Sequence, residues 1–190
     1  LCASVFPVRG FAHTVGAASA SGAVAVLEAA AAVRSGRVDA CIALGALQDV
    51  SAYDLRALQA LGVLAEPEHT PGDACRPFDR RRRGMVYGES CAALVLARDG
   101  DGYGRVSGAH VANGLRGPEP SLEGEARVIE LALRGAGVAA FDVDYINAHA
   151  TGTPRGDDAE AAAIMARRLE GAWVNASKSR SEEHTSELQS

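Results

Sequence analysis

Segments with strand character alternate with segments of helical character along most of the chain, and this alternation limits the fold more than any other feature. The run Val38–Leu47 is continuously apolar, which is typical of a buried strand. It follows a predicted helix, Ser19–Ser35, which Gly36 would end. The other predicted helices are Ser51–Leu64, Ser121–Val138 and Asp157–Glu170, and the other predicted strands are Met85–Ala97, Arg105–Asn113, Asp144–Ala150 and Trp173–Ser177. Such alternation predicts an α/β fold with buried sheets.

Composition and charge exclude several classes of protein. Of the 190 residues, 47% are hydrophobic and 23% charged, which is the balance of a folded globular domain. The formal net charge is -5 and the one basic tract is Arg80–Arg83, so we expect no nucleic-acid partner. The alanine-rich run after Ser19 is interrupted by Arg34, too soon for a membrane span, and no membrane partner is expected.

The cysteines indicate a reducing compartment. Cys2, Cys41, Cys75 and Cys91 have neither a CxxC spacing nor a zinc pattern, so no metal site is predicted. Cys41 and Cys91 lie in apolar segments and are predicted to be buried thiols. These features together predict a cytoplasmic protein.

Both ends of the sequence look artificial. The chain starts at Leu1, and its last eleven residues, Arg180–Ser190, break abruptly with the preceding composition. Those residues resemble the translation of a sequencing-adapter oligonucleotide, so they are set aside in predicting the fold. We expect the chain to be a fragment, cut at both ends.

Three short segments carry candidate chemistry. Ser19 and Ser21 open the first helix, where serine is common as an N-cap, and the flanking Ala17 does not fit a GxSxG nucleophile motif. In "NAHATGTPRGDDAE", His149 lies at the end of a predicted strand, where ligands bind in α/β folds. In "NASKS", Lys178 lies just beyond another strand; taken alone, it is most simply a solvated lysine.

Together these segments resemble the β-ketoacyl synthases. "HATGTPRGDDAE" is similar to their histidine motif, "CRPFDRRRRGMVYGESCAALVL" to their Arg-Pro-Phe-Asp and Gly-Glu-Gly-Ala segments, with Ser90 in place of a glycine, and "VNASKS" to the strand before their lysine. The resemblance runs from about Ala12 to Ser179. It implies a thiolase-like layered α/β/α/β/α fold, built from two related halves and usually dimeric. Residues 1–99 would be the end of the N-terminal half, 100–179 the start of the C-terminal half, and 180–190 the non-native tail.

The resemblance also assigns roles to single residues. "ASASG" fits the register of the family's Ala-Cys-x-Ser-Gly, which puts Ser19 at the nucleophile position. His149 would donate a hydrogen bond to the thioester oxygen, and Lys178 would organise this region. Thr151 and Thr153 would hold the phosphopantetheine arm of an acyl carrier protein, the expected partner, and no other cofactor is implied. The second family histidine would follow Lys178, where the tail begins.

A serine at position 19 changes the expected chemistry. A thiol has a pKa of about 8.5 and ionises readily at a helix N-terminus, whereas a hydroxyl needs an adjacent base. Family members with serine here resemble this chain and decarboxylate malonyl-carrier protein to acetyl-carrier protein in polyketide β-branching cassettes. We therefore expect a decarboxylase. Two alternatives stay open: an acyl-transferring or condensing enzyme that uses Ser19, and a non-catalytic partner subunit like a chain-length factor.

Overall fold

The computed structural model describes residue 5 and residues 8–46, 50–66, 73–113 and 119–179. The chain forms two compact units, one of Leu1–Gln48 and Glu89–Val106, the other of Asp49–Gly88 and Ser107–Ser190. These units follow spatial contact rather than chain order, so they do not test the predicted division of the sequence at residues 99 and 100. Each unit combines helices with strands, as predicted.

The first unit is a helix packed on a two-stranded sheet. Helix α1 (Ser21–Arg34) is followed by strand β1 (Ala40–Ala46), which pairs antiparallel with β2 (Cys91–Ala97). The buried residues of α1 are small, namely Ala29, Ala30, Ala32 and Val33. These short side chains allow the helix to lie close to the sheet, where Ala43 is buried.

Three predictions for this unit are wrong or hold only in part. The strand predicted to begin at Met85 begins only at Cys91: Met85 forms an isolated bridge with Leu64 of the second unit, and residues 86–90 belong to no strand. The predicted burial of β1 holds on one face only, since Ile42 and Leu44 are 44% and 47% exposed. Cys91 is also exposed rather than a buried thiol, and Cys41 is half-buried.

The second unit begins with α2 (Ala52–Ala60), and Ser51 caps its N-terminus. The Ser51 hydroxyl accepts the N–H of Asp54 at 3.3 Å, and the Asp54 carboxylate accepts the N–H of Ser51 at 3.1 Å. The helix ends earlier than predicted. Leu64 lies beyond it and forms an isolated parallel bridge with Met85.

A strand–helix–strand unit forms the rest. Strand β3 (Tyr145–Asn147) leads through α4 (Pro154–Ala166) to the parallel strand β4 (Trp173–Asn175). Helix α3 (Leu122–Ala136) packs against α4 around Ala126, Ala163 and Ile164. The helix α4 begins three residues before the predicted start, with Pro154 in its first turn, where a missing N–H costs no hydrogen bond.

The strand predicted over Arg105–Asn113 is wrong. These residues are irregular, and the described residues include no strand that pairs with them. Gly108 shows why: a Cβ there would come within 2.6 Å of the Ala132 carbonyl oxygen, so the backbone lies directly against α3. Among the described helices, none is long and apolar enough to cross a membrane.

Candidate active site

The histidine motif lies at the carboxyl end of β3. The N–H of Ala148 donates to the Asn175 carbonyl at 2.9 Å, which extends the pairing of β3 with β4 by one residue. Ala148 and Ala150 are buried at 3% and 1% exposure, while His149 between them is exposed. The two alanines therefore lie inside the unit, and His149 between them faces solvent.

The carboxylate of Glu160 holds the backbone of this loop. Its two oxygens accept the N–H groups of His149 and Ala150, each at 2.7 Å. Ala150 has a φ of 30°, a conformation that disfavours any residue with a Cβ. These two charged hydrogen bonds offset that strain, and they fix the position of the His149 backbone from which the imidazole projects.

Lys178 meets His149 from the other strand. A short 3-10 turn, Ser177–Ser179, follows β4 and carries the lysine. Its Nζ donates to the His149 carbonyl and lies 3.3 Å from His149 Nδ1. Because an ammonium has only donors, Nδ1 must act as the acceptor and the ring proton lies on Nε2. The Nε2–H group can then donate to a ligand.

The electrostatics agree with a neutral imidazole. Desolvation of the ring, followed by the positive charge of Lys178, lowers the pKa of His149; Glu160 and Asp157 act in the opposite direction. The side chain keeps contact with solvent, so this desolvation is partial. Desolvation also lowers the pKa of Lys178. The negative charges of Glu160 and Asp157 act in the opposite direction, because they favour the charged ammonium.

A buried carboxylate, Asp157, ties the site to the Arg-Pro-Phe-Asp segment. It is 1% exposed and accepts the N–H of Phe78 at 2.7 Å and that of Gly152 at 3.1 Å. The Nε of Arg82 lies 3.7 Å from the same carboxylate. Asp157 thus joins two loops that are far apart in sequence and has a cation beside it, as a buried charge requires.

Two other contacts strengthen this junction. The N–H of Gly84 donates to the Gly152 carbonyl at 3.0 Å. A Cβ on Gly152 would lie 2.7 Å from the Gly84 oxygen, so only glycine permits this approach of the two backbones. The Cys75 thiol donates to the Lys178 carbonyl at 3.3 Å, which fixes the turn that carries the lysine.

The two threonines of the motif lie side by side. Thr151 Oγ1 and Thr153 Oγ1 are 3.0 Å apart and both residues are half-buried. Thr153 occupies the N-cap position of α4, yet its side chain makes no capping bond. One hydroxyl donates to the other, and both keep further capacity to bind a polar ligand.

Ser19 belongs to the first unit and lies exposed in a 3-10 turn, Ala18–Ala20, just before α1. The predicted serine cap is wrong here, because the N-cap of α1 is Ala20. The Ser21 hydroxyl instead accepts the N–H of Ala17 at 2.9 Å and donates to the Ala18 carbonyl at 2.7 Å. Within the described residues of its own unit, the Ser19 hydroxyl has no hydrogen-bonded base.

The structure therefore brings together four of the five predicted site residues, His149, Lys178, Thr151 and Thr153, within the second unit. The sequence reasoning assigned no role to Asp157, Glu160 or Cys75. The spacing of Asp157 and Glu160 was an available signal, because residues three apart on a helix share a face. Among the described residues, no group of three or more potential metal ligands occurs.

The sequence matches models of the two domains of β-ketoacyl synthase. The N-terminal domain matches residues 1–102 and the C-terminal domain residues 103–181. The chain belongs to the β-ketoacyl synthase family.

Comparison with individual proteins identifies relatives within the family. The chain is 47% identical over 189 residues to the polyketide biosynthesis malonyl-ACP decarboxylase PksF of Bacillus subtilis, covering 94% of this chain and 46% of that protein. It is 36% identical over 180 residues to a 3-oxoacyl-[acyl-carrier-protein] synthase homolog of Saccharomyces cerevisiae, covering 87% and 39%. The chain thus spans less than half the length of these relatives.

Solved structures confirm the predicted α/β, thiolase-like fold class. A ketosynthase solved in complex with its type II PKS acyl-carrier protein superposes with a TM-score of 0.77 at 28% identity, covering 84% of this chain and 43% of that one. A β-ketoacyl synthase from Burkholderia phymatum gives a TM-score of 0.67, also at 28% identity, with 80% and 39% covered.

Proposed function

We propose that the protein decarboxylates a malonyl thioester on an acyl carrier protein to the acetyl thioester. The bond between the carboxylate and C2 breaks, carbon dioxide leaves, and the electron pair forms an enolate whose charge lies on the thioester oxygen. A proton from water then completes the acetyl group at C2. The relative PksF, whose name states this reaction, supports the proposal.

The observation that carries the proposal is the contact of Lys178 with His149. With Nδ1 accepting from the ammonium, the Nε2–H is directed to a ligand as a donor, which a developing enolate oxygen requires. One such preorganised donor contributes about 3–4 kcal/mol to transition-state stabilisation. In this proposal Lys178 holds the tautomer, while Thr151 and Thr153 bind the phosphopantetheine arm.

The proposed decarboxylation does not need a nucleophile at Ser19. In the family register this residue replaces the cysteine that accepts an acyl chain. Ser19 has no hydrogen-bonded base within its own unit, and a helix N-terminus is worth at most about 2 kcal/mol to a charge, far too little to ionise a hydroxyl. The enzyme is therefore proposed to retain the decarboxylation step and to lack acyl loading. The proposed reaction requires no metal and no further cofactor.

The test compares three forms of the full-length protein on malonyl-carrier protein. Wild type should release carbon dioxide while intact-protein mass spectrometry detects no acyl adduct. His149→Ala should lose about 100-fold or more in rate, and Ser19→Cys should gain an acyl adduct. A stable adduct on Ser19 together with a condensation product would establish the acyl-transferring alternative instead. If His149→Ala released carbon dioxide at the wild-type rate, the site would have no catalytic role, and the partner-subunit alternative would be favoured.

A further inference from the structure

A cleft of about 400 Å³ lies in the second unit, where the C-terminal parts of α3 and α4 adjoin. Its polar lining is one carboxylate and three guanidinium groups, those of Glu130, Arg134, Arg167 and Arg168. Its apolar lining is Leu133, Val138, Ala140 and Ala166. None of the residues predicted for the active site lines this cleft, so it is a separate feature of the unit.

The lining of the cleft has two more positive than negative charges, although the whole chain has a formal net charge of -5. Its one carboxylate is already engaged, because Arg167 Nη1 donates to Glu130 Oε2 at 2.8 Å. Arg134 and Arg168 are exposed, and neither side chain forms an ion pair or hydrogen bond with another residue that the structure describes. Each of these two guanidinium groups can therefore offer its five N–H donors to an anion.

The ends of the two helices do not account for these arginines. Both helices end in a Schellman motif, in which two backbone N–H groups beyond the helix donate to carbonyls of its last turn. The left-handed residue of this motif is Gly137 after α3, with a φ of 67°, but Arg168 after α4, with a φ of 58°. A residue with a Cβ is strained there, and glycine is usual. The placement of Arg168 at the cleft therefore has a conformational cost that helix capping does not explain.

We propose that this cleft binds the phosphate group of a small organic phosphate. A phosphate monoester has a charge of about -2 at pH 7, which matches the excess of positive charge in the cleft. Arg134 and Arg168 bind its oxygens through the paired hydrogen bonds that planar guanidinium groups form with phosphate. The organic part of the ligand lies against Leu133 and Val138. The inference does not depend on the proposed decarboxylation, because it concerns different residues.

The test titrates the full-length protein with butyl phosphate by calorimetry, in chloride buffer of constant ionic strength. Wild type should bind butyl phosphate more tightly than inorganic phosphate, because the butyl chain covers apolar lining. In Arg134→Ala combined with Arg168→Gly, the Kd should rise at least about tenfold, since two charged hydrogen-bonding partners are lost. The matched control, Arg83→Ala with Arg127→Ala, removes two exposed arginines elsewhere in the same unit and should bind as wild type does.

Arg168→Gly alone separates ligand binding from a structural role of the arginine. Glycine relieves the positive φ, so the Tm without phosphate should be higher than that of wild type. The rise in Tm that butyl phosphate causes should nevertheless be smaller, because the ligand binds more weakly. A lower Tm without phosphate would show a structural role and overturn the proposal.

Three results of the titration would also overturn the proposal. Equal affinity of wild type and the double variant would show that butyl phosphate does not bind at the cleft. An equal loss of affinity in the control would assign binding to net charge. Equal affinity of wild type for butyl phosphate and inorganic phosphate would exclude recognition of an organic phosphate.

Discussion

The Nζ of Lys178 lies 3.3 Å from Nδ1 of His149 and also donates to the carbonyl oxygen of the same residue. One side chain thus holds both the backbone and the ring of the histidine. His149 follows β3 and Lys178 follows β4, so their contact depends on the parallel pairing of these two strands.

This contact predicts how the histidine titrates. The positive charge of Lys178 helps to lower the pKa of His149, so Lys178→Met should raise that pKa, and the imidazolium should persist to higher pH. Lys178→Arg keeps the charge and should shift the titration less. The measurement is an NMR titration of the His149 ring, assigned by comparison with His149→Gln. An unchanged pKa in Lys178→Met would refute the electrostatic coupling.

Asp157 should be the most sensitive acidic residue of the site to neutralisation. Asp157→Asn places an amide NH2 against one of the two N–H donors and leaves Arg82 beside a neutral group. We expect a loss of about 2–4 kcal/mol in the free energy of unfolding. Asp158→Asn is the control: the next residue of the same helix is 76% exposed and should cost less than about 1 kcal/mol. Equal losses in thermal or urea unfolding would contradict this account.

Glu125 should make stability depend on pH. Desolvation, with a smaller contribution from the Glu160 charge, raises its pKa to about 7. The native state then binds more protons than the unfolded state between the ordinary value of 4.5 and about 7, so stability falls as pH rises through this window. Glu125→Gln removes that loss. It should match wild type near pH 4.5 and exceed it by about 1 kcal/mol above pH 7, an amount discounted for the partial exposure of the group.

The control for this prediction is Glu123→Gln, an exposed residue of the same first helical turn. This variant should show no comparable pH-dependent gain in the free energy of unfolding. Both glutamates lie near the same helix N-terminus, but only Glu125 is partly buried beside α4. A gain at pH 8 that is equal in both variants would attribute the effect to the helix terminus instead.

The backbone at Ala150 should tolerate glycine. With φ at 30°, the Cβ is in a conformation that costs about 1 kcal/mol or more, which glycine relieves. Ala150→Gly should therefore be neutral or stabilising by up to about 1 kcal/mol. Ala148→Gly, two residues earlier and equally buried but without a positive φ, should destabilise by about 1 kcal/mol. Chemical denaturation of both variants decides between strain at position 150 and a general effect of losing a buried methyl group.

The parts that sequence predicts well are those decided locally. Ser51 with Asp54 and Ser121 with Gly137 mark the boundaries of helices through contacts within a few residues. Ser19 and Ser21 give the same local signal at the start of α1 but do not cap it, because the N-cap is Ala20 and the Ser21 hydroxyl forms hydrogen bonds within the preceding turn. The local sequence does not predict which of two nearby backbone groups a serine hydroxyl bonds when the two hydrogen bonds are of similar strength.

The parts that sequence predicts poorly depend on distant partners. The apolar pattern of Arg105–Asn113 suits a strand, but a strand needs a neighbour, and here the segment lies against α3 instead. The helical spacing of Asp157 and Glu160 places them on one face, but it does not identify the partner of Asp157, because the N–H of Phe78 that it accepts lies 79 residues away. The histidine and lysine were recognised through motifs, and their mutual contact came only from the fold.

The long sequence separation between contacting residues of the site also determines when the site forms during folding. The hydrogen bond from the Cys75 thiol to the Lys178 carbonyl joins residues 103 positions apart, so forming it closes a long loop. The entropy cost of that loop closure is not offset by contacts between neighbouring residues. Helices α3 and α4 form from neighbouring residues and need no such closure. The candidate active site is therefore expected to assemble among the last parts of its unit, and amide protons at Phe78 and Gly152 should acquire protection later than those within the helices.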